Sequence, residues 1–161
     1  MEIRDFPSIT QMQMAAAREE LVKTNEFSGK FGLRLSDKDI YDLIARRIDA
    51  LRDTGRIELG QGILSRMIFE FCDSPYLLQD NYADTIAELQ DMFYYFKNES
   101  MDLISDDELI EFMKWYFDNV CQGSLEYLSG TTLEDLCKEV RAGKDLKYND
   151  LNWRDDTYEM R

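Results

Sequence analysis

A stripe of large apolar residues at helical spacing is the feature that most constrains how this chain can fold. Between residues 82 and 96 the apolar side chains recur at steps of four and three. They are Tyr82, Ile86, Leu89, Phe93 and Phe96. This period places them on one face of an α-helix, while Asp84, Glu88 and Asp91 lie on the other side. The pattern predicts a half-buried helix that packs against other helices.

Start signals and further apolar stripes predict the other helices. Ser36 with Asp39, and Ser105 with Glu108, have the spacing of capping boxes, in which a serine and an acid three residues later satisfy free backbone N–H groups. With eight glycines and two prolines in 161 residues, the chain has too few turn residues for a β-sandwich. We predict a mainly α, single-domain bundle of about six helices, with residues 1–142 as the helical domain.

The helix that begins after Ser105 has a second predicted property, its buried face. Steps of three and four select one set of residues as inward-facing. That set is Leu109, Phe112, Met113, Tyr116 and Val120. We predict that the helix runs on to Gly123, which would end it.

Two short segments alternate between apolar and polar residues, which is typical of strands. They lie near residues 31–35 and 57–59, on either side of the helix that begins after Ser36. Together they predict a short two-stranded element whose strands would run parallel. From Gly143 the chain is polar and aperiodic, and we predict a C-terminal tail over residues 143–161 that can dock through its aromatic residues.

The absence of histidine removes several kinds of active site from this chain. Imidazole acid–base catalysis, histidine-activated nucleophiles and metal centres with imidazole ligands all require that residue. Phosphate-binding glycine motifs and calcium-binding loops are also missing. The sequence therefore predicts no catalytic, cofactor-binding or metal-ligating residue and no cofactor, and a non-enzymatic role is preferred.

The three cysteines, Cys72, Cys121 and Cys137, are an odd number and are widely spaced. Each lies among apolar residues at helical core spacing, so we predict reduced core thiols of a cytoplasmic protein. The N-terminal residues lack the pattern of a signal peptide, and no apolar run reaches 18 residues. We therefore expect no membrane-spanning segment.

The net charge of −14 is concentrated in the middle of the chain. Residues 67–137 contain two basic and sixteen acidic residues, which accounts for the whole excess. Such a surface repels phosphate backbones and anionic membranes, so neither nucleic acid nor membrane is the expected partner. The charge leaves a protein partner, or a second copy of the chain, as the predicted partner.

The one basic concentration consists of arginines at positions 46, 47, 52, 56 and 66. These arginines could bind an anionic ligand. The simpler interpretation is that they pair with the acidic middle of the chain.

Three stretches of the sequence carry a resemblance to a known family. They are TGRIELGQGIL, FCDSPYLLQDNYADTIAELQDMFYYFKNES and DDELIEFM. They resemble a family of small bacterial proteins known only as a domain of unknown function, over roughly residues 31–137. The resemblance implies a soluble bacterial cytoplasmic protein and brings no activity, cofactor or catalytic residue with it.

Two aromatic residues lie outside the apolar stripes of their helices. Tyr95 is about 140°, and Trp115 about 120°, from the centre of the stripe on its helix. Because tyrosine and tryptophan are enriched at interface hot spots, we predict a partner surface that contains Tyr95, Trp115, Asp91 and Glu111. The alternative is that a second face of each helix is buried in the domain, with the tail as cover.

The sequence leaves three functions open. The preferred hypothesis is a non-enzymatic protein-interaction or adaptor protein that uses its acidic, aromatic-bearing helical surface. The first alternative is a small-molecule-binding protein, or an enzyme that works without histidine, with an interior pocket. The second alternative is an acidic mimic of nucleic acid.

Overall fold

The computed structural model describes residues 9–58 and 62–144. Within these ranges the helices are α1 (Ile9–Ser28), α2 (Asp37–Thr54), α3 (Leu64–Phe71), α4 (Tyr82–Glu99), α5 (Asp106–Asn119), the single turn α6 (Leu125–Tyr127) and α7 (Leu133–Arg141). All but α6 have at least eight residues, so the prediction of a mainly α chain with about six helices is confirmed. The predicted tail falls almost entirely on residues 145–161, which lie outside the described residues.

The chain divides into two compact units, residues 1–94 and residues 95–161. In the first unit, α1 packs against α2 and α3. The five residues of the stripe predicted on α4 are all buried. Four of them belong to this unit, and Phe96 belongs to the second. The buried side of α1 includes polar residues, since the Thr24 hydroxyl donates to the carbonyl of Leu21 at 2.6 Å. Thr24 and Ser28 are polar residues on the buried side of α1, so the apolar residues of this helix recur less regularly in the sequence than those of α4.

Both predicted capping boxes are present. Ser36 accepts a hydrogen bond from the backbone N–H of Asp39, whose carboxylate accepts one from the N–H of Ser36. The same exchange joins Ser105 and Glu108 at the start of α5. These bonds satisfy N–H groups that have no partner within the helix, so each helix begins where its local sequence predicts.

Residues 33–35 of the first predicted strand have the expected exposure pattern but a different hydrogen-bonding partner. Leu33 and Leu35 are buried and Arg34 is exposed. The side-chain amide of Asn25 accepts from the N–H of Leu35 at 2.8 Å and donates to its carbonyl at 3.0 Å. Gln79 makes the same pair of bonds with Arg34, at 2.8 and 2.9 Å. Two side-chain amides thus occupy the positions that a neighbouring strand would use.

The predicted two-stranded element is therefore wrong for the described residues. Residues 31–35 form no strand, and neither do residues 57–58, while residue 59 lies outside the described part of the chain. Alternation correctly reported the burial of Leu33 and Leu35, but Phe31 and Ile57 are exposed, at 46% and 87%, and Glu58 is largely buried. The pattern does not indicate which groups would form hydrogen bonds with the backbone of the extended segment.

One ion pair of the first unit is largely withdrawn from solvent. The guanidinium of Arg47, on α2, donates from Nε to Oε1 of Glu58 at 2.6 Å, and the two side chains are only 12% and 13% exposed. The hydroxyl of Tyr94, on α4, lies 2.7 Å from both oxygens of the Glu58 carboxylate. Burial, with the nearby Glu58 charge, raises the pKa of Tyr94 far above its usual value, so the phenol remains a donor. These bonds tie the chain that follows α2 to two helices.

Gly62 lies against this ion pair in the left-handed region, with a φ of 75°. A Cβ added there would overlap the Glu58 carboxylate and lie 3.0 Å from Nη2 of Arg47. Gly32 has nearly the same φ, 78°, but nothing lies within 4 Å of its added Cβ. A substitution at Gly32 therefore introduces backbone strain alone, whereas one at Gly62 introduces both backbone strain and a steric clash.

We expect Gly62→Ala to lower the free energy of unfolding by about 2–3 kcal/mol, against about 1 kcal/mol for Gly32→Ala. Both substitutions force alanine into the left-handed region, and only the first also displaces Glu58 from its partners. Urea denaturation of the two variants and the unsubstituted chain measures the difference. Equal losses would show that Gly62 is required only for its backbone conformation.

In the second unit, the face of α5 differs in part from the prediction. Leu109, Phe112 and Met113 are buried as expected, but Val120 is 43% exposed and Phe117 is buried instead. The reason is that α5 ends at Asn119, so Val120 already belongs to the turn that follows. The prediction was wrong in extending the helix to Gly123.

A buried lysine holds the connection between α4 and α5. The ammonium of Lys97 donates to the carbonyl of Ile104 at 2.6 Å and lies 2.9 Å from Oδ1 of Asp106. Between these points Met101 and Asp102 both have left-handed backbones, with φ of 58° and 57°. Non-glycine residues rarely adopt this conformation, so the connection stores strain that the surrounding bonds offset.

Candidate functional site

Tyr95 is the predicted surface residue that the structure exposes most clearly. Its side chain is 49% exposed, and its ring packs edge-on against Phe96 at a centroid distance of 4.9 Å. Phe96 is itself buried, so the Tyr95 ring contacts a core residue while about half of its side chain stays exposed. An exposed aromatic ring that packs against a core residue is typical of a binding anchor.

Two carboxylates lie close enough to Tyr95 for their charges to act on its hydroxyl, one from its own helix and one from α7. Glu99 follows Tyr95 by one helical turn, and Glu134 lies in the first turn of α7. The charge of Glu99, and more weakly that of Glu134, raises the pKa of the Tyr95 hydroxyl. We call Tyr95, Glu99 and Glu134 the Tyr95 patch.

α7 is held against the end of α4 by bonds to the α4 backbone. Arg141 donates from Nη1 to the carbonyl of Glu99, and the thiol of Cys137 lies 3.6 Å from the carbonyl of Phe96. Among the described residues, Arg141 supplies the positive charge that opposes the two acids at Tyr95. The patch therefore keeps a net negative charge around its ring.

Trp115 and Glu111, the other predicted members from this unit, lie one turn apart on α5. Trp115 is half-buried, and its ring packs edge-on against Tyr116, which stacks on Phe112 at 4.3 Å. Glu111 is half-buried as well. These three aromatic rings pack against one another along α5. The Trp115 side chain is therefore less exposed to solvent than that of Tyr95.

Asp91, the fourth predicted member, belongs to the first unit and is already engaged. Its Oδ2 lies 2.7 Å from Nη2 of Arg46 and accepts from Nε of the same guanidinium at 2.8 Å. The predicted pairing of an arginine with the acidic middle of the chain is thus confirmed for Arg46. Arg47 instead binds Glu58, which lies outside residues 67–137.

The three cysteines are free and buried, as predicted. Burial raises the pKa of Cys121 and raises that of Cys137 to about 11. Since the thiolate is the reactive form, these two thiols have the character of core residues rather than of nucleophiles.

Two further properties concern the described part of the chain. Within residues 9–58 and 62–144, no group of three or more cysteine, aspartate or glutamate residues is arranged to hold a metal ion. Over the same ranges, no helix is both long and apolar enough to cross a bilayer.

Sequence reasoning found Tyr95 but missed both of its acidic neighbours. Glu99 could have been found, because it follows Tyr95 by four residues and so shares its side of α4. Glu134 could not, because it is more than thirty residues away and reaches Tyr95 only through the packing of α7 on α4.

The comparisons with known proteins give one finding. The model of the family of unknown function DUF6323 matches residues 20–146. The resemblance to a family of unknown function is thereby confirmed, over a longer range than the three stretches indicated. No curated protein and no solved structure matches the chain.

Proposed function

Since this chain belongs to DUF6323, a family of unknown function, we propose a function from its surface chemistry. The protein is a non-enzymatic interaction or adaptor protein, and its Tyr95 patch binds a basic segment of a partner protein. The observation that carries this proposal is an aromatic ring, 49% exposed, whose hydroxyl lies within electrostatic range of two carboxylates.

The chemistry of the Tyr95 patch suits an arginine or lysine side chain. A guanidinium or ammonium over the Tyr95 ring gains a cation–π attraction of about 0.5–1 kcal/mol at an exposed site. Glu99 and Glu134 can add charge-assisted hydrogen bonds to the same cation. The negative charge of residues 67–137 would also speed the encounter with a basic partner.

The interior-pocket alternative has weaker support. Arg47 is the cation best placed inside the first unit to bind an anionic ligand, but Glu58 already occupies it at 2.6 Å. A ligand would have to displace a carboxylate that also accepts from Tyr94. The nucleic-acid mimic has only the charge in its favour, and the exposed Tyr95 ring has no role in it.

Two labelled peptides of equal length test the proposal by fluorescence anisotropy. One carries arginines between leucines spaced to form a helical face, and the other carries glutamates in place of the arginines. We expect the basic peptide to bind, and Tyr95→Ala to weaken its binding about fivefold, because the anchor ring is lost. Glu134→Gln should weaken it about two- to threefold.

Matched variants control for general effects of substitution. Tyr41 is 63% exposed on α2, so Tyr41→Ala removes an exposed tyrosine from the first unit and should leave binding of the basic peptide unchanged. Tyr95→Phe keeps the ring and should also bind. Equal affinity of Tyr95→Ala and the unsubstituted chain would refute the Tyr95 patch as the binding surface.

A further inference from the structure

A second exposed aromatic cluster lies in the first unit. Phe27 ends α1, Phe31 ends the 3-10 turn Gly29–Phe31, and Phe69 lies on α3. The Phe27 ring contacts Phe31 at 5.8 Å and Phe69 at 5.0 Å between centroids. The three side chains remain 37%, 46% and 48% exposed, respectively. Three phenylalanines thus share one exposed surface while they hold one another in place.

Three cations border this cluster, and none of them forms an ion pair with a described carboxylate. Lys23 is one turn before Phe27 on α1, and the ammonium of Lys30 lies 5.5 Å from the centre of the Phe27 ring. The guanidinium of Arg34 lies against Gly29, beside Lys30, and its carbonyl and N–H bond only the Gln79 amide. Three cations without an ion-pair partner among the described residues thus lie around apolar rings, although the chain as a whole has a net charge of −14.

We propose that this surface, the Phe27 face, docks an acidic segment of a partner protein that carries apolar anchors. The face is defined by its three phenylalanines and by Lys23, Lys30 and Arg34. The rings would accept leucine or aromatic side chains spaced along one side of a helix. The three cations would pair with carboxylates on either side of those anchors. The charge preference is opposite to that of the Tyr95 patch, so the two surfaces select different partners.

The exposed area argues against a second copy as the occupant. With side chains of roughly 200 Å² each, the three rings expose together about 260 Å². A stable protein interface needs about 800 Å² from each partner, so this face is too small to hold a symmetric dimer unaided. An area of this size matches the few anchor side chains of a single helix.

The overall charge argues against nucleic acid and anionic lipid. Both present dense phosphate arrays, and a chain of net charge −14 is repelled by such arrays at distances within the Debye length. A short acidic segment presents fewer charges and gains apolar contact as well. It is therefore the occupant that both the rings and the cations favour.

The same two peptides test this proposal independently of the proposed function. We expect the acidic peptide to bind and Phe31→Ser to weaken it about tenfold, because one of three anchors is lost. Lys30→Glu should weaken it by a similar factor and make added sodium chloride less inhibitory. Neither variant should change the affinity for the basic peptide, so failure here leaves the Tyr95 patch standing.

Two control variants, a second phenylalanine variant and a check of folding complete the test. Tyr41→Ser removes an exposed ring elsewhere in the first unit, and Lys138→Glu reverses an exposed cation of the second unit. Both should bind the acidic peptide normally. Phe69→Ser should repeat the effect of Phe31→Ser, and circular dichroism checks that each variant is folded. The proposal is overturned if the acidic peptide does not bind, or if it binds all variants equally.

Two other occupants would be revealed directly. A sedimentation coefficient that rises with protein concentration, and that no longer does so in Phe31→Ser, would identify a second copy as the occupant. Binding to vesicles of phosphatidylglycerol and phosphatidylcholine, abolished by Lys30→Glu, would identify a lipid surface. Either result would overturn the assignment to an acidic protein segment.

Discussion

Replacing Glu58 with alanine is expected to lower the free energy of unfolding by about 3 kcal/mol. The Glu58 carboxylate accepts from Arg47 and from the hydroxyl of Tyr94, and all three side chains are largely buried. Its removal leaves a guanidinium charge and a phenol hydroxyl without their acceptor in a poorly solvated place. Unsatisfied buried groups of this kind are more destabilising than the intact pair is stabilising.

A double variant distinguishes two effects of Glu58→Ala: the loss of the attraction between Arg47 and Glu58, and the cost of leaving the buried Arg47 charge without a partner. Arg47→Met combined with Glu58→Leu removes both charges, so it should be less destabilising than Glu58→Ala alone. Arg52→Met, which breaks an exposed pair with Asp49, should change the free energy of unfolding by less than about 1 kcal/mol. Urea denaturation followed by circular dichroism measures all of these. A double variant that is less stable than Glu58→Ala would show that the pair itself is the main source of stability.

The helices that could be predicted are those whose information is local. The capping boxes at Ser36 and Ser105 depend on residues three positions apart, and both are present. The α4 stripe depends on spacing within one helix, and its residues are buried. Local patterns succeed because the helix bonds and the buried face arise within the same short segment.

The predicted strand failed because the bonds of its backbone depend on distant residues. The extended segment at Leu33 and Leu35 is bonded by the amides of Asn25 and Gln79, and no local pattern identifies either as a partner. The face of α4 also contains Gln90, which is fully buried although glutamine is usually exposed. Composition and period assign such a residue to solvent, while packing places it inside.

The candidate surface follows the same division. Tyr95 could be predicted because its angle from the apolar stripe is set by its own helix. Asp91 satisfied the same criterion, but Arg46 from α2 binds it. The Phe27 face was not predicted, since its three rings come from α1, a 3-10 turn and α3. Its cations were overlooked because the N-terminal part of the chain has no net charge.

Lys97→Met is expected to destabilise the second unit by about 3 kcal/mol. The Lys97 side chain is only 6% exposed, and its ammonium bonds the carbonyl of the fully buried Ile104. It also lies 2.9 Å from Asp106, in the first turn of α5. Methionine fills a similar volume, so the expected loss comes from an unsatisfied buried carbonyl and from an acid that loses its counter-ion.

Two other lysines of this unit provide the scale for that loss. Lys144 lies 3.6 Å from Glu139 in an exposed position, so Lys144→Met should lower the free energy of unfolding by less than about 1 kcal/mol. Lys138 is exposed and forms no ion pair with a described residue, so Lys138→Met should have almost no effect on the free energy of unfolding.

Native-state hydrogen exchange measures the effect of Lys97→Met locally, at the connection between α4 and α5. Lys97→Met should speed exchange at the N–H groups of Met101 and Asp102, because their left-handed conformation persists only while the surrounding bonds hold it. If Lys97→Met were no more destabilising than Lys144→Met, the strained connection would be held by its backbone bonds alone, without the buried ammonium.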